Sequence, residues 1–299
     1  HHLHLLKMPI FNSMFYTINN PDYFINTGID TTSRAKILFK DTDKSKQTKD
    51  YFAKYYDKLK QRQVDYARTL NVDYILHEYD NDYIKYVSYF KKNYPQISVY
   101  DIINFYKQEL MKRYAHKYDE VCYLDFDVIP NTDESIFDVV KHDEFGCADS
   151  NREAEWGKNV ETKYYNTCIR NPSSKYWNCH AMLNEIGLDP DTDVFNTGIM
   201  VAASKMIKRL DYFGEFEEVL DLMSKVKYDK SSMYPHNIQR IFNYDNETVF
   251  AFKRVVNNIK IKYLGNDWHH KVQDEKWYVF NENAKMYHVI NKRFGKFLK

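Results

Sequence analysis

Two aspartates, Asp125 and Asp127, stand one residue apart at the end of the apolar run Val121-Cys122-Tyr123-Leu124. The spacing alone says little, because Asp41/Asp43, Asp80/Asp82, Asp189/Asp191 and Asp191/Asp193 share it. Only Asp125 and Asp127 directly follow a four-residue apolar run, so only they are delivered to a sheet edge by a buried strand. In extended backbone, residues i and i+2 point to the same side, which turns both carboxylates toward one site. Paired carboxylates are hard oxygen ligands suited to Mg²⁺ or Mn²⁺, and such cations complete their shell with water and substrate phosphates. A cation held there neutralises charge on a departing diphosphate. The competing structural role is capping of the turn Pro130-Asn131-Thr132 that follows.

Other reactive side chains give weaker signals. Cys122, Cys147, Cys168 and Cys179 lack a paired CxxC spacing, so neither disulfides nor a zinc site built on Cys168, Cys179 and His180 is expected. His269 and His270, beside Trp268, offer a metal or sugar contact or an ordinary polar role. Trp156, Trp177 and Tyr176 have the shape to stack on sugar faces, although core packing is the commoner fate of such rings.

The elements that must position Asp125 and Asp127 follow from hydrophobic periodicity. Strands are expected at 35–40, 72–77, 120–125 and 194–202, and helices at 46–70, 99–115 and 204–226. Strand, helix, strand, helix, strand in that order implies an α/β fold with a mainly parallel central sheet flanked by helices. Ligands in such sheets bind beyond the carboxyl ends of the strands, where Asp125 and Asp127 lie. Residues 145–192 are polar and weakly periodic and read as a lid or acceptor-side insertion. The tail from 249 reads as short strands alternating with aromatic loops. One domain over 35–299 is expected, preceded by a leader, 1–34, that opens on a tag-like His1-His2-Leu3-His4. Its nucleotide-binding half covers about 35–140 and its acceptor-side half about 141–299.

Composition narrows the partners. The 299 residues carry 43 basic and 42 acidic side chains, a formal charge of +1, which gives no field to gather nucleic acid. Only 8 glycines occur beside 27 tyrosines and 19 phenylalanines, a bias expected of AT-rich coding in a viral or low-GC microbial source. No GxGxxG or Walker A pattern is present, so phosphates must be met by metal and side chains. No run approaches the roughly 20 apolar residues of a membrane span, and a soluble, cytoplasmic protein is expected. The sequon Asn246-Glu247-Thr248 reads as chance.

Tyr123-Leu124-Asp125-Phe126-Asp127-Val128-Ile129, followed by Ile136-Phe137-Asp138, resembles the "YLDxDvi…lfd" block of GT-A glycosyltransferases, and most closely the retaining family that contains glycogenin-like and lipopolysaccharide-galactosyltransferase-like enzymes. Val194-Phe195-Asn196-Thr197-Gly198-Ile199-Met200 resembles that family's "yfNaGvml" strand. Asn266-Asp267-Trp268-His269 resembles its "WN" segment and Tyr287-His288-Val289-Ile290 its late "HF" motif. The correspondence runs from about 35 to 292.

The resemblance implies a single GT-A domain that uses Mn²⁺ or Mg²⁺ and a nucleotide-sugar donor, a UDP-sugar first of all. It assigns the metal to Asp125, Asp127 and His288, and donor contacts to Asp125, Phe126, Asp127, Lys107 and Lys292, with Lys296 behind Lys292. Asn196 would approach the donor sugar or the acceptor, with Gly198 leaving room. His236, Asn237 or Gln239 occupy the place of the family's "DQD" segment, here without its acid, and stand as sugar-hydroxyl contacts or structural residues. The expected reaction moves a hexose to a hydroxyl of a glycan, protein or small-molecule acceptor, with retention. For an inverting enzyme, Asp193 or Asp191 would be the general base. A homo-oligomer is compatible with all of this. The alternatives are a degenerate GT-A domain that binds carbohydrate or scaffolds, and a nucleotidyltransferase, for which Asp41-Thr42-Asp43 is the wrong chemistry after a first strand.

Overall fold

The computed structural model describes residues 10–14, 42–149, 172–229, 239, 243–273 and 279–298. Its strands, in chain order, are β1 (Ile10–Met14), β2 (Asp73–His77), β3 (Glu120–Asp125), β4 (Val128–Pro130), β5 (Phe145–Asp149), β6 (Phe195–Ala203), β7 (Ile261–Tyr263), β8 (His270–Val272) and β9 (Met286–Val289). Six of them form a sheet in the order β2-β1-β3-β6-β5-β7. Only β6 runs against the others, so this is an α/β fold with a mainly parallel central sheet, as the sequence implies. The other three form a small sheet, β4-β9-β8, in which β4 and β9 are antiparallel.

Seven helices are described: α1 (Thr42–Thr69), α2 (Asn81–Asn93), α3 (Val99–Tyr114), α4 (Pro172–Glu185), α5 (Ser204–Leu210), α6 (Phe216–Tyr228) and α7 (Asn246–Val256). The unusual aromatic content goes into packing. Phe90 of α2, Phe105 of α3 and Phe216 of α6 meet with ring centroids 5.6 to 5.9 Å apart, in the range favoured for aromatic pairs. Ser98 caps α3 by accepting the Asp101 backbone N–H at 3.2 Å. That fixes the start of the helix that carries Lys107 toward β3.

Several expectations are revised. Residues 10–14, inside the stretch read as a leader, form β1, which pairs in parallel with both β2 and β3. The expected strand at 35–40 lies outside the described residues. Residues 145–149 are a strand of the central sheet rather than part of an insertion, with Phe145, Cys147 and Ala148 fully buried. Residues 172–185 form α4, which packs on α6 and α7. The helix expected over 204–226 is two helices, because Asp211 and Glu215 take left-handed backbone (φ 42° and 51°). Between them, the Asp211 carboxylate occupies the space where a Gly214 side chain would stand. The short strands expected from 249 begin only at 261, as β7, β8 and β9, and α7 spans 246–256 before them. Its aromatic and β-branched residues favour strand locally, but Asp245 caps the helix by accepting from Glu247 N at 3.1 Å and Thr248 N at 2.8 Å, and Val249, Phe250 and Phe252 are buried.

Candidate functional site

β3 carries Val121, Cys122, Tyr123 and Leu124 through the core and releases Asp125 at its end, where the side chain is 24% exposed. Two residues on, Asp127 is buried to 6%. The register of the small sheet then decides the third member: Val128 of β4 faces His288 of β9, and Val289 N donates to Asp127 O at 3.0 Å. A ladder of backbone hydrogen bonds thus brings His288 onto the two acids. The ligand atoms of Asp125, Asp127 and His288 all lie within 4.8 Å of one another, and theirs is the one such cluster of three or more His, Cys, Asp or Glu side chains among the described residues.

Each carboxylate is divided in the same way. Asp125 Oδ1 accepts from the Tyr123 hydroxyl at 2.9 Å and from Lys107 Nζ at 3.3 Å, while Oδ2 faces His288 Nε2 at 3.7 Å. Asp127 Oδ2 accepts from Lys292 Nζ, while Oδ1 faces His288 Nε2 at 3.4 Å. One oxygen of each acid is held by a donor, and the other converges on the imidazole. Two carboxylate oxygens and one imidazole nitrogen make a suitable donor set for Mn²⁺ or Mg²⁺. Ligands bound about 2.1 Å from an octahedral cation lie roughly 3 to 4 Å from each other, and both His288 separations fall in that range.

The surroundings explain the charge state. Burial works to raise the Asp127 carboxyl, but the charges of Lys292 and His288, with their hydrogen bonds, outweigh it and hold the group well below the usual carboxylate range. Lys107, 3% exposed, also donates to Thr197 O at 3.3 Å. Thr197 in turn gives its N–H to Glu247 at 2.9 Å, and Lys175 closes an ion pair on Glu247. Burial would raise Glu247 as well, yet Lys175 and Lys107 bring it down to about 2. Asn246 Nδ2 donates to Thr197 Oγ1 at 3.0 Å and is buried, so the sequon asparagine is committed to this layer.

Gly198 is where backbone must yield to side chain. A Cβ there would stand 2.4 Å from His288 Cε1, 2.7 Å from His288 Nδ1 and 2.9 Å from Asn196 Oδ1. Asn196 Oδ1 accepts the Gly198 N–H at 2.9 Å, which places Asn196 beside the trio. Lys292, in left-handed backbone (φ 59°), turns back onto Asp127 immediately after β9.

The remaining expected residues fall elsewhere. Phe126 lies between the acids, but its ring packs against Phe52 and Tyr56, with centroids 6.1 and 5.5 Å away. Only its backbone is left to meet a donor. Asp193 accepts the Tyr263 hydroxyl and Asp191 that of Tyr176 at 3.4 Å; neither belongs to the trio. Asn237, His236, Trp156 and Cys168 lie outside the described residues. Gln239 donates to the Val226 carbonyl at 2.8 Å, a packing role. His270 bonds Asn266 Oδ1 at 2.6 Å and accepts from Asn281 N at 3.2 Å, also structural. Lys296 lies over the Phe280 ring at 3.5 Å. The Cys179 thiol is buried and pushed well up by desolvation, which suits a core residue.

Gln63 is a contributor that hydrophobic patterning did not reveal. It is 1% exposed on α1. Its amide donates to Asp125 O at 3.0 Å and to Val128 O at 2.9 Å, while its own oxygen accepts from the Tyr74 hydroxyl at 2.9 Å. One side chain therefore clamps both ends of the turn that bears Asp127. A polar residue on the buried stripe of Leu59, Tyr66 and Ala67 was the available signal. Gln63→Leu keeps the volume but strands three polar groups, and is expected to lower unfolding free energy by about 2 kcal/mol. A denaturation midpoint equal to that of the parent protein would show that the clamp contributes nothing.

No family profile and no curated protein sequence matches the chain. Among solved structures, mouse xyloside xylosyltransferase 1 in its apo form is similar over 95% of this chain and 98% of its own, at 11% identity and a TM-score of 0.45. The galactosyltransferase LgtC in complex with donor and acceptor sugar analogs is similar over 95% of this chain and 87% of its own, at 12% identity and a TM-score of 0.37. A glycosyltransferase involved in glycosylation of the major capsid of PBCV-1 is similar over 88% and 84%, at 10% identity and a TM-score of 0.33.

Proposed function

We propose that this chain is a metal-dependent glycosyltransferase of the GT-A type, moving a hexose from a UDP-sugar to an acceptor hydroxyl with retention of configuration. The observation that supports it most is the convergence of Asp125, Asp127 and His288 at the carboxyl end of β3, with a lysine on each acid. A bound Mn²⁺ or Mg²⁺ would supply positive charge at the departing diphosphate.

The chain's own residues do the rest. Asp125 Oδ2, Asp127 Oδ1 and His288 Nε2 form the cation-holding face. Lys292, 21% exposed on Asp127, is the side chain placed to exchange a carboxylate oxygen for a phosphate oxygen as the donor enters. Lys107, fixed between Asp125 and Thr197 O, maintains positive charge behind the acids. Asn196 lies on the sugar side, next to Gly198. The nucleotide-binding half, about 35–140, would seat the nucleoside, and the acceptor-side half, about 141–299, the acceptor. Asp193, bonded to Tyr263, is reserved for the inverting case, as general base. Among the described residues no helix is long and apolar enough to cross a membrane.

A thermal-shift panel of nucleotide-sugars, each with and without Mn²⁺, tests the reading, since a ligand selective for the folded state raises the midpoint by mass action. UDP-sugars should register only with the metal. No response to any donor in the presence of Mn²⁺ would leave a scaffold, not an enzyme.

A further inference from the structure

A second imidazole stands behind His288. His269 ends a turn begun at Gly265, whose carbonyl accepts its backbone N–H at 3.0 Å, and the residue is 3% exposed. Its Nε2 lies 2.8 Å from His288 Nδ1, with the rings 5.1 Å apart and inclined by 37°. On the far side of the His288 ring, Nε2 points at the two carboxylates. The remaining nitrogen of His269, Nδ1, is buried without a hydrogen-bond partner.

Two imidazole nitrogens in such contact share one hydrogen. If His269 owns it, His288 accepts at Nδ1 and carries its own hydrogen on Nε2, leaving no lone pair for a cation. If His288 owns it, Nδ1–H donates to His269 and the Nε2 lone pair faces Asp125 and Asp127. We infer that His269 is a positioning residue for the cation site: by accepting the Nδ1 hydrogen of His288 it fixes the tautomer and ring orientation that leave Nε2 open to a divalent ion. This rests on the metal-holding reading of Asp125, Asp127 and His288.

The unpartnered nitrogen is a cost that a purely structural residue would not carry. With Nε2 accepting, the hydrogen of His269 sits on Nδ1, the atom that meets no acceptor. A phenylalanine would fill this space with no unpaired donor. What histidine adds is an acceptor aimed at His288. Gly198 makes room for this arrangement from the other direction, since a Cβ there would stand 2.7 Å from the same His288 Nδ1.

The test compares Mn²⁺ affinity, by calorimetry, in the full chain and in His269→Gln and His269→Phe. The Gln carbonyl can accept from His288, whereas the Phe ring cannot. Affinity should stay within about threefold for Gln and fall roughly 10- to 100-fold for Phe. A role confined to packing would move the metal-free melting midpoints and leave the Mn²⁺ affinities equal, which overturns the inference. Nitrogen-15 NMR of the Mg²⁺-loaded protein supplies a second readout: His269 should carry its hydrogen on Nδ1, and a hydrogen on Nε2 would contradict the proposed direction. Failure of the unsubstituted chain itself to bind Mn²⁺ is a separate result that removes the metal reading, and this inference with it.

Discussion

Asp127→Asn should abolish the Mn²⁺-dependent stabilisation by UDP-sugars and lower transfer by on the order of 100-fold or more, equivalent to about 2.7 kcal/mol of barrier. The substitution keeps the shape and one acceptor oxygen, so the loss reads out charge. It also removes the anion beneath Lys292 and His288. Breaking a fully buried pair costs about 3–5 kcal/mol; with Lys292 21% exposed, about 2 kcal/mol is expected for the metal-free protein. The pH dependence has a definite sign. A carboxyl held below its ordinary value of 3.8 stabilises the fold fully above that pH and loses its contribution as pH falls further. The acid limb of the melting curve below about pH 4 should therefore be shallower in the variant than in the parent. A variant that kept a full metal-dependent donor shift would remove Asp127 from the site.

The second large effect is expected from a single methyl group. In Gly198→Ala the new Cβ falls 2.4 Å from His288 Cε1, inside any real contact distance, and is opposed on another side by Asn196 Oδ1 at 2.9 Å. The imidazole cannot retreat without breaking its 2.8 Å contact with His269. Overpacking of this kind costs about 1–3 kcal/mol, but the larger consequence lies in the site. Moving Nε2 by even 1 Å takes it out of ligand range of a cation that bonds at about 2.1 Å. Mn²⁺ affinity should drop at least about tenfold while circular dichroism still reports a folded α/β protein. Unchanged affinity, with a crystal structure showing His288 in place, would mean that the backbone moves instead of the ring.

How far the sequence exposes this architecture depends on whether an element's role is local. β3 is legible because four apolar residues run straight into two acids, and α1 and α3 because their apolar stripes repeat over several turns. β1 is not: Ile10-Phe11-Asn12-Ser13-Met14 has no clean alternation, and its place comes from pairing with strands on both sides. β4, β8 and β9 have three or four residues each, too few for any periodicity, yet their register is what carries His288 to the acids. α2 was missed although Asp80 caps it by accepting from Tyr83 N at 2.9 Å. In the site, Asp125, Asp127 and His288 could be named from motif likeness. The Gln63 clamp, the Glu247–Thr197 support and the His269–His288 contact could not, because a side chain's distant partner leaves no trace in local spacing.

The distance along the chain between the two halves of the site has a consequence for biosynthesis. Lys292 and Asp127 are 165 positions apart, and β9, which carries the imidazole, follows all six strands of the central sheet. A ribosome-bound chain that has emerged only through β6 displays both acids without the histidine or the lysine. Contacts this remote in sequence form late and slowly, so the nascent chain would be unable to assemble the Asp125–Asp127–His288 cluster until β9 had emerged. Termination a few codons before β9 would yield a polypeptide that has every strand of the central sheet but neither His288 nor Lys292 to bring to the two acids.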